Sequence, residues 1–199
     1  MDLKEDIFEK AKNFLLNPKA AFDAESKSSV IDAIKYSFIW LFIVGILSAI
    51  VTGIFGNMLL KLVTTIPGGV EPTITAGMII TTFISSWIGG IIVLLILGVW
   101  LHIWAYLLGA KQKLENTIKI VLYGNTPSYV LGWIPFASTI GGIWSLILYV
   151  LGLNRLQKMS MGKAVGALVL AIVIPAVILL IFAYTVFTSF SNIMALGPI

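Results

Sequence analysis

The sequence predicts an all-α integral membrane protein, with five transmembrane helices preceded by short amphipathic helices on the cytoplasmic side. Of its 199 residues, 59% are hydrophobic and only 11% are charged, whereas about a quarter of the residues of a soluble domain are charged. Several apolar runs reach the length of about 20 residues that a helix needs to cross a bilayer. The basic residues are also distributed unequally between the predicted loops.

Residues 1–29 are predicted to form a cytoplasmic amphipathic segment. Apolar residues recur there at three- and four-residue spacing, which predicts one helix with an apolar face made by Leu3, Ile7, Phe8, Ala11, Phe14 and Leu15. Asn17-Pro18 is expected to end this helix and to begin a second one over residues 19–25, with Phe22 as an anchor. The segment either lies along the membrane surface or packs under the bundle, and it either only docks there or binds a partner.

Residues 30–199 are predicted to form one membrane domain. Its five spans cover residues 34–60, 77–108, 117–134, 137–153 and 161–187. The second span is longer than a crossing requires, so it is tilted, projects from the bilayer, or bends near Gly89-Gly90. Gly109 is expected to end its helix. The loop that follows the first span, residues 61–76, contains a single lysine.

Two prolines and several stripes of small residues predict how these spans pack. Pro127 in the third span and Pro175 in the fifth are expected to bend their helices. Because Pro127 has no N–H to donate, the carbonyl of Tyr123 needs a donor from a hydroxyl, a water or a neighbouring helix. Small residues at four-residue spacing predict close helix packing, within one bundle or between copies, as in the stripe Ala137, Gly141, Ser145.

The distribution of lysine and arginine predicts the orientation. Of 13 such residues, only Lys61 falls on one side of the five spans. The positive-inside rule therefore places the N-terminus in the cytoplasm and the C-terminus outside or in a lumen. The basic residues that follow the second and fourth spans form a candidate cytoplasmic contact surface, consisting of Lys111, Lys113, Lys119, Arg155, Lys158 and Lys163.

A candidate cluster for a lipid or another polar ligand consists of His102, Tyr106, Tyr123 and Asn125. At about 1.5 Å per residue, all four are expected within roughly 10 Å of the cytoplasmic ends of their helices. His102 and Tyr106 are four residues apart and share a helix face. The cluster is interpreted as a pocket for a lipid headgroup or small molecule, or as a proton-sensitive contact. Alternatively, His102 bonds a neighbouring carbonyl, such as the one freed by Pro127, and ties two helices together.

Several classes of function are not expected. The chain has no cysteine and one histidine, which is a poor basis for a metal site, so no metal or other cofactor is expected. Catalysis is not expected either. The only conceivable catalytic arrangement is His102 with Ser128 or Tyr123, and the lone histidine has no partner carboxylate. The predicted spans lack central ionisable residues of the kind that ion-coupled transporters use. Nucleic-acid binding is not expected because the basic residues lie in loops beside apolar runs.

Three blocks of sequence, in this order and spacing, carry a family resemblance. The first block is Asn17-Pro18-Lys19-Ala20-Ala21-Phe22. The second runs from Leu101-His102 through Leu108-Gly109-Ala110-Lys111 to Tyr123-Gly124 and Pro127. The third is Ile143-Trp144-Ser145 through Gly152-Leu153 to Gly162-Lys163-Ala164. With these blocks the chain resembles the Yip family, five-span membrane proteins named for interacting with Ypt/Rab GTPases, in a compact prokaryotic-type version.

This resemblance implies a non-enzymatic membrane domain with a cytoplasmic N-terminus. Eukaryotic relatives act in vesicle traffic between secretory-pathway membranes and bind prenylated GTPases, often as hetero-oligomers, so the resemblance implies a small GTPase as partner. Membrane lipids and another copy of the chain are further expected partners. The resulting hypothesis is a membrane organiser or adaptor that binds protein or lipid partners at its cytoplasmic face. The alternative is a small-solute carrier or channel, or a lipid scramblase.

Overall fold

The computed structural model describes residues 3–63 and 73–195, and the regular structure of these residues is all helical. The α-helices are α1 (Leu3–Leu16), α2 (Pro18–Ala24), α3 (Val30–Val63), α4 (Ala76–Ile84), α5 (Gly90–Leu107), α6 (Leu114–Gly124), α7 (Thr126–Leu131), α8 (Ala137–Leu156) and α9 (Met161–Ala195). A 3-10 turn, Glu25–Lys27, precedes α3. Most of the predicted loop 61–76, namely residues 64–72, lies outside the described residues.

Four stretches of helix are long and apolar enough to cross a membrane. They are Val30–Lys61, Ala76–Leu107, Ala137–Leu156 and Met161–Ser189. These stretches correspond to the first, second, fourth and fifth predicted spans, although α3 begins four residues earlier than predicted and α9 continues to Ala195. The chain is therefore a multi-pass, all-α integral membrane protein.

The third predicted span, residues 117–134, is a broken helix in the structure. Helix α6 ends at Gly124, α7 begins at Thr126, and each is too short to cross a bilayer alone. The break follows from Pro127, which cannot donate an N–H to the carbonyl of Tyr123. The hydroxyl of Thr126 donates to that carbonyl at 2.6 Å. The donor that the sequence required is thus a hydroxyl of the same segment.

Helix α6 lies at the centre of the bundle, in contact with α3, α5 and α8. Four consecutive side chains, Ile120 to Tyr123, have no exposed surface. The long helices, by contrast, expose many apolar side chains on the outside of the bundle, for example Ile96, Ile147 and Leu180. A helix that is surrounded by other helices does not contact lipid and so needs no long apolar surface. This explains why α6 can be short and partly polar.

The second span contains a π-helical segment, Ser85–Gly89, beside Gly89-Gly90, where a bend was one of three alternatives that the sequence left open. Extra-wide turns of this kind are a recognised cause of helix irregularity. Gly90 follows directly and lies against α3, where an added Cβ would come within 2.8 Å of Leu41. The glycine therefore permits the close approach of the two helices at this point.

Helix α9 continues through Pro175. The proline leaves the carbonyl of Ala171 without its usual helical donor, and the indole Nε1 of Trp100 donates to that oxygen at 2.9 Å. This bond connects α5 to α9. The ring of Trp104 lies 5.4 Å from that of Trp100, as expected for residues four apart on one helix face.

The N-terminal helices pack under the bundle, which was one of the two alternatives predicted for them. Phe14 of α1 and Phe22 of α2 are fully buried. The ring of Phe14 stacks on Tyr123 of α6 at 5.2 Å and meets Phe22 edge-on at 5.0 Å. Phe22 is thus the anchor that the sequence predicted.

Candidate functional site at the basic end of the bundle

Three connecting segments meet at one end of the bundle, which we call the basic end. They are the turn between α2 and α3 (residues 25–29), the loop between α5 and α6 (residues 108–113) and the loop between α8 and α9 (residues 157–160). Specific hydrogen bonds and one ion pair join these segments to one another and to the helices beneath them. The N-terminal helices and both predicted basic loops therefore form one continuous surface.

Gln157 connects the two basic loops. Its side chain is 1% exposed, and its Nε2 donates to the carbonyl of Lys113 at 3.1 Å and to the hydroxyl of Thr117 at 2.8 Å. Its Oε1 accepts from the backbone N–H of Gln112 at 3.1 Å. Nothing in the sequence distinguished this residue except that it is an uncharged amide among basic neighbours.

Lys119 fixes the N-terminal segment to α6 and does not belong to the exposed basic surface predicted for it. The residue is 3% exposed. Its ammonium donates to three backbone carbonyls of the turn before α3, those of Glu25, Ser26 and Ser28, at 3.2, 3.0 and 2.9 Å. These carbonyls draw the lysine inward, because a buried ammonium needs hydrogen-bond acceptors to replace water.

The other five residues of the predicted contact surface are exposed at the basic end, namely Lys111, Lys113, Arg155, Lys158 and Lys163. Arg155 lies 3.7 Å from the carboxylate of Asp23 on α2. Lys10 of α1 and Glu25 form a second ion pair at 2.8 Å, and this pair is half-buried. An exposed pair such as Arg155 with Asp23 contributes little to stability, so its value here is to show that α2 and α8 present charge on the same surface.

An open groove of about 310 Å³ lies between the two basic loops, and we call it the basic groove. It is lined by Gly109, Lys111, Gln112, Gln157, Lys158, Met159, Ser160 and Lys163. Gly109 ends α5 with φ +99°. The N–H of Gly109 bonds the carbonyl of Tyr106, and that of Ala110 bonds Ala105, so the helix ends in a Schellman motif. The predicted helix end at Gly109 is confirmed.

His102 and Tyr106 form one half of the predicted ligand cluster. Their ring centroids are 6.4 Å apart, and Tyr106 is 69% exposed on the outside of the bundle. Nδ1 of His102 is 2.8 Å from the hydroxyl of Thr117 on α6. His102 does tie two helices together, but through a hydroxyl and not through the carbonyl freed by Pro127, which Thr126 already satisfies.

Tyr123 and Asn125 contact other parts of the bundle. The Tyr123 ring is fully buried beneath the ammonium of Lys10, at 5.5 Å, and its hydroxyl is 3.4 Å from that of Ser28. Oδ1 of Asn125 accepts a hydrogen bond from Tyr149 at 3.0 Å. Among the described residues, no hydrogen bond or ring contact joins this pair to His102 and Tyr106. Ligand binding by any of the four stays a prediction.

A buried polar network around the break between α6 and α7 was not predicted. The hydroxyls of Tyr36 and Thr126 are 2.8 Å apart. The carbonyl of Leu122 accepts from Ser37 at 3.2 Å and from Tyr129 at 3.1 Å. The two bonds to Leu122 satisfy a backbone carbonyl next to the break, as a buried interruption requires. The Tyr36 hydroxyl contacts the same Thr126 hydroxyl that donates to Tyr123.

Comparison with known families assigns the chain. The Yip1 domain matches residues 12–185. The chain belongs to the Yip1 domain family. No curated protein and no solved structure matches it. The residues matched to the Yip1 domain extend from α1 into α9 and include both basic loops, so the basic end is part of the domain itself.

The described part of this Yip1 domain contains no group of three or more histidine, aspartate or glutamate side chains that could hold a metal ion. The hydroxyl that contacts His102 belongs to Thr117, which is fully buried. A substrate outside the bundle therefore has no access to that hydroxyl. What the basic end offers instead is exposed positive charge on a surface with fixed geometry.

Proposed function

We propose that this Yip1 domain protein is a non-enzymatic membrane organiser or adaptor that binds protein or lipid partners through its basic end. One observation carries the proposal: Lys119 and Gln157 join the N-terminal helices and both basic loops into a single surface. A preformed surface loses little entropy when it binds a partner. Membership of the Yip1 domain family supports a trafficking-like role.

In this proposal the basic end faces the cytoplasm and the C-terminus lies outside or in a lumen. All lysine and arginine residues except Lys61 belong to segments at or next to the basic end, in agreement with the positive-inside rule. Exposed apolar side chains begin close to the loops, with Leu107 at 65% and Met161 at 46% exposed. This transition supports a membrane surface near the basic end.

We further propose that α6 and α7 together make the third of five crossings. Laid end to end, the 18 residues from 114 to 131 would extend about 27 Å at 1.5 Å per residue, close to the roughly 30 Å of a bilayer core. Helix α8 packs against both of them on its return. The turn at residues 132–136, with Phe136 81% exposed, then lies at the far side of the membrane.

The described interior supports an adaptor over a carrier or channel. Large side chains fill the centre of the bundle, where Leu122, Tyr123 and Leu148 have no exposed surface and Tyr129 has 2%. The buried hydroxyls and Lys119 bond to neighbouring groups of the protein. A solute path would require these contacts to break.

Neutralising the basic end is expected to weaken its binding to anionic membranes. The variant carries glutamine at Lys111, Lys113, Arg155 and Lys158, and a cationic side chain close to a membrane surface contributes up to about 1 kcal/mol to attraction by anionic lipid. We therefore expect binding to fall at least about tenfold, and more at low salt. The assay is co-flotation of nanodiscs holding the full chain in phosphatidylcholine with vesicles that contain phosphatidylglycerol.

The control for this experiment exchanges lysine for arginine and arginine for lysine at the same four positions, which keeps the charge. This control should bind as the wild type does. Unchanged co-flotation of the glutamine variant would contradict the proposed role of the basic end.

A further inference from the structure

The basic groove carries more unpaired positive charge than any other described part of the basic end. Three of its eight lining residues are lysines, Lys111, Lys158 and Lys163, and none of the eight is acidic. Other cations nearby have partners, since Lys10 pairs with Glu25 and Lys119 bonds three carbonyls. In the described structure the ammonium groups of these three lysines form no ion pair or hydrogen bond.

The backbone holds these lysines at the groove. The ammonium of Lys163 lies 3.3 Å from the position that a Cβ on Gly109 would occupy, so the glycine leaves room for the charged group. On the opposite loop, Asn154 Nδ2 donates to the carbonyl of Met159 at 2.8 Å, and the N–H of Met159 turns back to Leu153. The loop between α8 and α9 is thus fixed by these hydrogen bonds, and the loop between α5 and α6 is fixed at its start by the Schellman motif at Gly109.

Lys158 adopts a backbone conformation that favours glycine, with φ 55°. A residue with a Cβ is less stable in this region than glycine is. Strained residues of this kind concentrate at ligand sites, where the side chain has a use. Here the side chain adds a third ammonium to a groove that already has two, although like charges repel one another.

We propose that the basic groove binds a phosphate group, that of an anionic phospholipid headgroup at the membrane surface. A volume of about 310 Å³ corresponds to roughly ten water molecules in the liquid, which is room for a phosphate and part of its headgroup. A bound anion removes the repulsion among the lysines. The exposed side chains of Leu107 and Met161, two residues from Gly109 and Lys163, place the groove where acyl chains give way to headgroups.

The inference rests on the proposed function, because it requires the basic end to meet the membrane surface. Two variants that remove the same amount of charge test it. The groove variant combines Lys158→Gly with Lys163→Gln. The control variant combines Lys113→Gln with Arg155→Gln, exposed residues that do not line the groove. Lys158→Gly should keep or raise the unfolding temperature, because glycine relieves the strain, so loss of binding will not reflect unfolding.

Native mass spectrometry of the full chain in detergent, titrated with phosphatidylglycerol, gives the affinity for the first bound lipid. We expect the groove variant to bind phosphatidylglycerol roughly thirtyfold more weakly than the wild type does. The affinity of the control variant should change less than about threefold. The affinity for phosphatidylcholine should be the same in the wild type and both variants. Equal weakening in both variants would overturn the groove and leave the basic end as a diffuse binding surface. No weakening in either would overturn the groove together with lipid binding by the basic end, and would leave only a protein partner for the proposed function.

Inorganic phosphate and glycerol phosphate, titrated in parallel, distinguish the source of the phosphate. Weak displacement of phosphatidylglycerol by either one supports a lipid site, because a lipid also gains from its acyl chains. Binding of free phosphate with an affinity equal to that of the lipid would overturn the assignment to a membrane lipid.

Discussion

Replacing Lys119 with methionine is expected to release the N-terminal helices from the bundle and to destabilise the protein by about 3 kcal/mol. Methionine preserves most of the hydrocarbon chain but donates no hydrogen bond. Three carbonyls, those of Glu25, Ser26 and Ser28, then lose a charged donor. Because the turn before α3 depends on this donor, α1 and α2 should detach before the transmembrane helices unfold.

Limited trypsin digestion measures this release directly. Trypsin cleaves after lysine, and the N-terminal segment contains several lysines, so cleavage there should accelerate strongly in Lys119→Met. Lys113→Met is the matched control, because Lys113 is exposed at the start of the same helix. Equal digestion rates for Lys119→Met and wild type would show that the N-terminal helices are held by apolar contacts alone.

Gly141→Ala is expected to destabilise the bundle by about 1 to 2 kcal/mol by forcing α7 away from α8. An added Cβ would lie 2.9 Å from the backbone oxygen of Pro127 and 3.2 Å from Cβ of Leu131. The carbonyl of Pro127 belongs to the backbone of helix α7 and cannot rotate aside without disturbing that helix, so the helices must separate. Overpacking of this kind typically costs about 1 to 3 kcal/mol, partly offset by the higher helix propensity of alanine.

The adjacent Gly142 supplies the control, because a Cβ there would meet no atom within 4 Å. Unfolding by sodium dodecyl sulfate in mixed micelles should show Gly141→Ala less stable than wild type, with Gly142→Ala equal or slightly more stable. If both variants unfold at the same detergent fraction, close packing of α7 on α8 is not a source of stability.

The sequence was sufficient to predict most of the fold because its strongest signals are local. Long apolar runs identified four of the membrane helices, and Pro18 and Gly109 marked helix ends where the structure has them. Pro127 predicted the irregularity of the third span and the need for a hydroxyl or other donor to Tyr123. That the helix breaks at Asn125 could not be predicted, because the break involves Ser37 and Tyr129 bonding the carbonyl of Leu122 and Tyr36 bonding the hydroxyl of Thr126.

The site was predicted less well because its residues are defined by distant contacts. Lys119 looked like a surface lysine at a helix start, and its carbonyl partners are 91 to 94 residues away in sequence. Gln157 carried no signal because its role depends on the backbone of a loop 44 or 45 residues earlier. By contrast, the exposure of Lys111, Lys158 and Lys163 was predicted from charge patterning alone, which requires no knowledge of tertiary contacts.

Cysteine labelling tests most directly whether the basic end is one cytoplasmic face. The chain has no cysteine, so single cysteines can be placed at Lys27, Lys113 and Lys158 on the basic end, and at Thr73 and Phe136 on the proposed opposite side. Intact cells that express each variant are treated with a membrane-impermeant maleimide. The three basic-end cysteines should react only after permeabilisation, and those at Thr73 and Phe136 without it. A Phe136 cysteine that reacts from neither side would place that turn inside the bilayer and contradict only the third crossing. Labelling of any basic-end cysteine in intact cells would contradict the account.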